Sequence, residues 1–230
     1  MSQRETGLIK TVFNTDNLVM RISEKIADLV TVNLLFVLSC LPIVTIGIAK
    51  ISLYQTVFAI KHQRRLPVIR TYISAFRENW KLGLQLGGME LLVSGICLFD
   101  LLLFWNQTTL PMQTLKAVCL GLFIFLVLVM LAAYPIAARY RLTWVECLQK
   151  ALIVSGLYFP WFFVMGTFLL LVAMVFVTSV LSFLLGLMVF FLIGFSSLTF
   201  LQVGLMEKIF ARFKAVSYTH LRAHETPEHL

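Results

Sequence analysis

A chain of 230 residues that is 60% hydrophobic, with 20 Phe and only 13% charged side chains, lacks the polar surface that a water-soluble globule needs, whereas a bilayer solvates such a surface without penalty. The formal net charge of +8 is concentrated in short segments beside apolar runs, which points to membrane orientation and away from nucleic acid. Cys40, Cys97, Cys119 and Cys147 stand singly with no C-x-x-C spacing, which excludes a thiolate metal or redox motif and leaves them as small packing residues.

Residues 1–28 mix both signs of charge with apolar positions at Leu18, Val19, Ile22, Ile26 and Leu29, a three-and-four spacing that predicts an N-terminal amphipathic helix. A charge-free stretch, 29–48, is long enough at about 1.5 Å per residue to cross a hydrocarbon core of about 30 Å. Its centre, Asn33 to Gly47, ends in a Pro-x-x-Thr-x-Gly pattern, so Pro42 predicts a kink and Gly47 a turn. Residues 50–60 continue as an apolar helical extension. The region 61–81 then carries six Lys/Arg against the single Glu78. Arg64, Arg65, Arg70 and Arg77 mark it as a cytoplasmic loop by the positive-inside rule.

Further spans are predicted over about 82–105, 115–138, 153–177 and 181–206, the last two separated by a tight turn near Thr178 and Ser179, because 151–206 carries no charge and is too long for one crossing. Lys208, Arg212 and Lys214 place the end of the readable chain in the cytoplasm. The expectation is an all-α, polytopic transmembrane helix bundle of about five spans in one domain, residues 1–214.

The tail, 215–230, reads as non-native. Val216 to Thr226, VSYTHLRAHET, corresponds residue by residue to a translated sequencing-library adapter. His220, His224 and His229 lie in it, leaving His62 as the remaining histidine. A histidine metal centre or a Ser/His/Asp triad is therefore not available, and neither a nucleophile elbow nor an Asp-rich metal motif is present. No catalytic residue, metal or cofactor is expected, and the chain is not expected to be an enzyme.

The second span carries two acids. Glu90 falls near its middle and Asp100 further along, and an acid at a helix centre costs about 3 kcal/mol on insertion scales. At 100° per residue, Gly83, Gly87, Glu90, Ser94 and Cys97 fall on one stripe, so Gly83, Gly87 and Ser94 are the expected helix-packing positions and Glu90 is expected to face the bundle interior. Asn33 on the first span and Ser196, Ser197, Thr199 and Gln202 on the fifth are its candidate partners. The candidate intramembrane polar site is thus Glu90, Asp100, Asn33 and Gln202. A carboxyl hydrogen-bonded within the bundle is the plainer role; an ion relay is the sharper one.

The run KIADLVTVNLLFVLSCLPIVTIGIAKISLY, the basic Ile-x-x-Ala-Phe-x-x-Asn-Trp-Lys stretch, Phe99-Asp100 and YPIAARY at 134–140 together resemble the YesL-like family of bacterial integral membrane proteins. The chain departs from that pattern at Ile48 and Lys50, where relatives often carry small or apolar residues. The resemblance implies a bacterial inner-membrane protein whose relatives often lie beside carbohydrate-uptake and polysaccharide-degradation genes, and it supplies no catalytic residues. The expected function is accessory or regulatory to solute uptake, with the lipid bilayer and permease subunits as partners. The alternative is a small transporter or channel, a homodimer, that uses Glu90.

Overall fold

The opening helix, α1 (Gln3–Ser39), is a single rod of 37 residues, so the amphipathic segment expected over 1–28 runs without a joint into the apolar turns that follow. This computed structural model describes residues 3–63 and 66–223, with side chains described over 20–63 and 66–211. Arg64, Arg65 and the last seven residues of the tail lie outside the described residues. Of the tail between them and Ala211, only the helical backbone is described.

Pro42 does more than kink the first apolar segment. It lacks the N–H that an uninterrupted helix requires, takes an extended backbone at φ −78° and ψ 117°, and opens a single 3-10 turn over Ile43–Thr45. The Thr45 hydroxyl donates to the carbonyls of Ser39 at 2.6 Å and Pro42 at 2.7 Å, satisfying acceptors that the end of α1 leaves over. The crossing expected over 29–48 is therefore cut in two. The membrane-length unit is Ile43–His62, formed by that turn and α2 (Ile46–His62).

After α2 come α3 (Val68–Glu78), α4 (Trp80–Leu103), α5 (Leu110–Arg139), α6 (Trp144–Leu157), α7 (Phe159–Val177), α8 (Val180–Val189) and α9 (Phe195–Ala223), with a wide π turn over Phe190–Gly194 between the last two. No strand occurs among the described residues. Among the described residues, five elements are long and apolar enough to cross a membrane: Ile43–His62, Trp80–Leu103, Leu110–Arg139, Phe159–Val177 and Val180–Ala211. The all-α bundle of about five spans is thus what the chain forms.

Several boundaries move for local reasons. α3 occupies part of the basic region expected as loop, because Val68, Tyr72 and Ala75 recur at four and three residues and bury one face. α5 starts at Leu110 and not near 115, with Pro111 accommodated in its first turn, and runs through Pro135 to Arg139, next to the expected end at 138. The fourth membrane-length helix starts at Phe159 and not near 153. The Thr143–Glu146 capping box starts a separate α6, and Pro160 is accommodated in the first turn of α7, where its missing N–H is no loss. Between α7 and α8, the Ser179 hydroxyl accepts from the Ser182 N–H at 3.1 Å, which caps α8 at the predicted turn.

The buried core gathers around α2, which packs against α1, α3, α4, α5 and α9. Val57 and Ile51 are fully buried, as are Val32 of α1, Leu86 of α4, Ala133 of α5 and Val203 of α9. The pair α7–α8 is different. Only 6% of the most apolar window of α7 is covered by the chain itself, and Val177, Val180 and Leu181 at its tip are exposed, as lipid-facing side chains are.

Candidate functional site: a charged cluster inside the bundle

The site begins with three glycines. A Cβ placed on Gly47 would lie 2.2 Å from the Gly83 carbonyl oxygen and 2.6 Å from the Gly87 Cα, and one on Gly83 would lie 2.6 Å from the Ile48 Cα. Hydrogen in place of a side chain lets the backbones of α2 and α4 touch, the device by which helices associate where no hydrophobic effect operates between them. Gly47 is not a turn residue as expected: it lies in the first turn of α2, and no described glycine has a positive φ.

This contact sets the spacing for the charges beside it. The Lys50 ammonium reaches the Glu90 carboxylate at 2.7 Å to Oε1 and 2.9 Å to Oε2. The Tyr134 hydroxyl of α5 donates to Glu90 Oε2, and the same ammonium lies 4.8 Å from the centre of the Tyr134 ring. Both carboxylate oxygens and the cation are therefore engaged, as a charge pair at membrane depth requires. The pair is not sealed: 29% of the Lys50 side chain and 24% of the Glu90 side chain remain exposed.

Asn33 and Gln202, placed with Glu90 on sequence grounds, hydrogen-bond elsewhere, and each answers a break in a helix. Pro135 has no N–H to offer the carbonyl one turn earlier, at Leu131. The Gln202 side-chain amide donates to that carbonyl at 2.6 Å, while its oxygen accepts from the Tyr54 hydroxyl. At the π turn the helical register slips. Asn33 Nδ2 donates to Phe190 O at 2.9 Å and Phe191 O at 2.7 Å, and Asn33 Oδ1 accepts from the Ser196 N–H at 2.9 Å. Unpaired backbone polar groups in hydrocarbon cost several kcal/mol each, so an interrupted membrane helix needs such donors and acceptors from its neighbours.

The remaining candidates separate further. Asp100 accepts from Cys119 Sγ at 3.6 Å, apart from the Lys50 and Tyr134 groups that hold Glu90. The Ser94 hydroxyl turns back to its own helix at Glu90 O, 2.5 Å away, outside the glycine contact. Arg70 and Arg77 are exposed on α3. His62, with Lys61, holds Glu207 of α9 at 2.6 and 2.5 Å, and Arg141 lies 3.8 Å from Glu78. Among the described residues, no group of three His, Cys, Asp or Glu side chains is placed to hold a metal ion.

Sequence reasoning missed Lys50, Tyr134 and Tyr54. Lys50 carried a usable signal: it is the lone charge between Asp28 and Lys61, as Glu90 is the lone charge between Lys81 and Asp100. Two isolated opposite charges on adjacent membrane helices are natural partners. Tyr134 carried none, since a tyrosine near a span end also reads as an interfacial anchor.

Residues 29–101 match the family described as "Protein of unknown function, DUF624", a segment that contains Asn33, the glycine contact, Lys50 and Glu90. No curated protein matches the chain, and no solved structure does.

Proposed function

We propose that this chain is a multi-pass protein of the bacterial inner membrane, of the YesL-like kind, that serves carbohydrate or other solute uptake as an accessory or regulatory subunit and not as an enzyme. The observation that carries this reading is how the intramembrane polar groups are used. Glu90 is held by Lys50 and Tyr134, Gln202 by Leu131 and Tyr54, and Asn33 by the π turn, so each is committed to holding helices together. The poorly covered α7–α8 pair supplies apolar surface for permease subunits within the bilayer. The basic region 61–81 and the basic end of α9 face the cytoplasm.

Affinity purification of the full chain from native membranes tests this. Permease subunits should co-purify, and should be lost when Arg70 and Arg77 are replaced by Gln. Recovery of the chain alone under mild detergent overturns the accessory role. A cysteine introduced at Gln63 should react with an impermeant maleimide only after the membrane is opened; labelling from the periplasm inverts the orientation.

One observation favours a second reading, a homodimeric transporter or channel: the Lys50–Glu90 pair keeps about a quarter of each side chain exposed, so a cation or proton could reach it. Flux in proteoliposomes that disappears in Glu90→Gln supports that reading, and flux unchanged by the substitution removes it.

A further inference from the structure

A small apolar cleft opens where α5, α6 and α9 meet. It has a volume of about 270 Å³ and is lined by Ile136, Tyr140, Lys150, Ile153, Val154 and Phe210. That is smaller than the roughly 300–1,000 Å³ of a site that encloses a whole small molecule, and suited to a segment of one hydrocarbon chain whose remainder lies in the bilayer. Ile136, Val154 and Phe210 form its buried wall, whereas Ile153 is 60% exposed on the open side.

The single charge in this lining is Lys150, and its surroundings leave that charge uncompensated. A glutamate one turn earlier on a helix ordinarily pairs with a lysine, and Glu146 stands there. Glu146 is instead drawn back to cap α6, accepting from the Thr143 N–H at 3.2 Å. Among the described residues, Lys150 has no carboxylate within ion-pair distance, and its ammonium lies 6.0 Å from the Tyr140 ring centre. The neighbouring cation, Arg139, is already placed over Phe210 at 5.0 Å and Phe58 at 5.7 Å.

Side chains on a helix lean toward its N-terminus. For α6 that direction leads to Trp144 and the polar α5–α6 connection, so the Lys150 stem follows the cleft while its charge is carried toward the headgroup level. We infer that this cleft holds one acyl chain of an anionic glycerophospholipid from the leaflet on the side of the α5–α6 connection, with the lipid phosphate on Lys150. The cleft takes the hydrocarbon and the lysine supplies the missing counter-charge. This site is independent of Lys50 and Glu90.

Native mass spectrometry of the full chain in mild detergent, titrated with phosphatidylglycerol or phosphatidylcholine of the same acyl composition, tests the assignment. The chain should retain phosphatidylglycerol about fivefold more strongly than phosphatidylcholine, the factor that about 1 kcal/mol per lysine near a membrane surface corresponds to. Lys150→Gln should remove that preference. Ile153→Trp, which fills the cleft from its open side, should lower retention of both lipids. Lys116→Gln should leave the preference intact, because the Lys116 ammonium already donates to the carbonyls of Trp105 and Gln107 at 3.0 and 2.8 Å. Equal retention of the two lipids, an unchanged ratio in Lys150→Gln, an equal loss in Lys116→Gln, unchanged retention in Ile153→Trp, or displacement of the lipid by inorganic phosphate would each overturn it.

Discussion

Lys50 and Glu90 face each other across the contact of α2 and α4, the ammonium 2.7 Å from one carboxylate oxygen and 2.9 Å from the other. Removing one member leaves the other's charge beside hydrocarbon, which costs more than the pair itself contributes. Lys50→Met and Glu90→Gln should each lower stability in detergent, by about 2–3 kcal/mol, below the usual range of about 3–5 kcal/mol for a buried pair because this pair is part-exposed. The double variant should lose less than the two single losses added together. Denaturant unfolding followed by circular dichroism measures this, and strictly additive losses would show that the two side chains do not act as a pair.

The glycine contact makes a sharper distinction. Gly83→Ala and Gly87→Ala each bring a methyl group to within 2.8 Å of α2 backbone, while Gly88 and Gly95 of the same helix have nothing within 4 Å of a new Cβ. Replacing either of the first two should cost about 1–3 kcal/mol or more, as overpacking does. Gly88→Ala and Gly95→Ala should be neutral or stabilising by up to about 1 kcal/mol, since alanine is the better helix former. Thermal melting of all four side by side is the measurement. Equal effects would mean that α2 and α4 do not meet at this point.

Gln202 and Pro135 form a testable repair. Gln202→Leu strands the Leu131 carbonyl and the Tyr54 hydroxyl, a loss of about 2–6 kcal/mol at about 1–3 kcal/mol per unsatisfied group. Pro135→Ala restores an N–H that can serve Leu131 from within α5. In the Gln202→Leu background it should therefore recover part of the loss, whereas Pro135→Gly should recover less because glycine weakens the helix. No recovery with alanine would refute the view that Gln202 compensates for the proline.

Asn33 predicts a local signal as well as a global one. With Asn33→Leu, the Ser196 N–H loses its acceptor and the π turn loses the donor to Phe190 and Phe191. Amide hydrogen exchange at Ser196 should accelerate markedly more than exchange in α5. Asn33→Asp should separate the two halves of the tie: it keeps the acceptor for the Ser196 N–H, so exchange there should stay slow, while the Phe190 and Phe191 carbonyls lose their amide donor.

How much of this was legible in the sequence follows from the range of the forces involved. The turn at Thr178 and Ser179 could be placed because a charge-free run has a maximum length in a bilayer, and because serine caps a helix through groups three residues away. The stripe of Gly83 and Gly87 could be placed because it depends on the rotation of one helix. The partner of Glu90 could not, since it depends on how two helices are turned relative to each other, and Lys50 reads from the sequence alone as the start of an apolar extension. Pro42 and Pro135 show the same limit. Both remove an N–H, yet α1 ends before one and α5 continues through the other, because only Leu131 has a distant amide to meet its carbonyl.

The tie between Asn33 and the π turn joins groups 157 to 163 residues apart. A ribosome delivers the asparagine to the membrane long before it has made anything for that amide to hold. Through most of synthesis α1 must therefore wait in a half-finished protein with its polar side chain borrowed by water, headgroups or the insertion machinery. The Asn33 tie is thus among the last to close in biogenesis, after α1 to α5 already have one another as partners, and a chain that stalls before Ser196 carries an asparagine oxygen still without that residue's N–H.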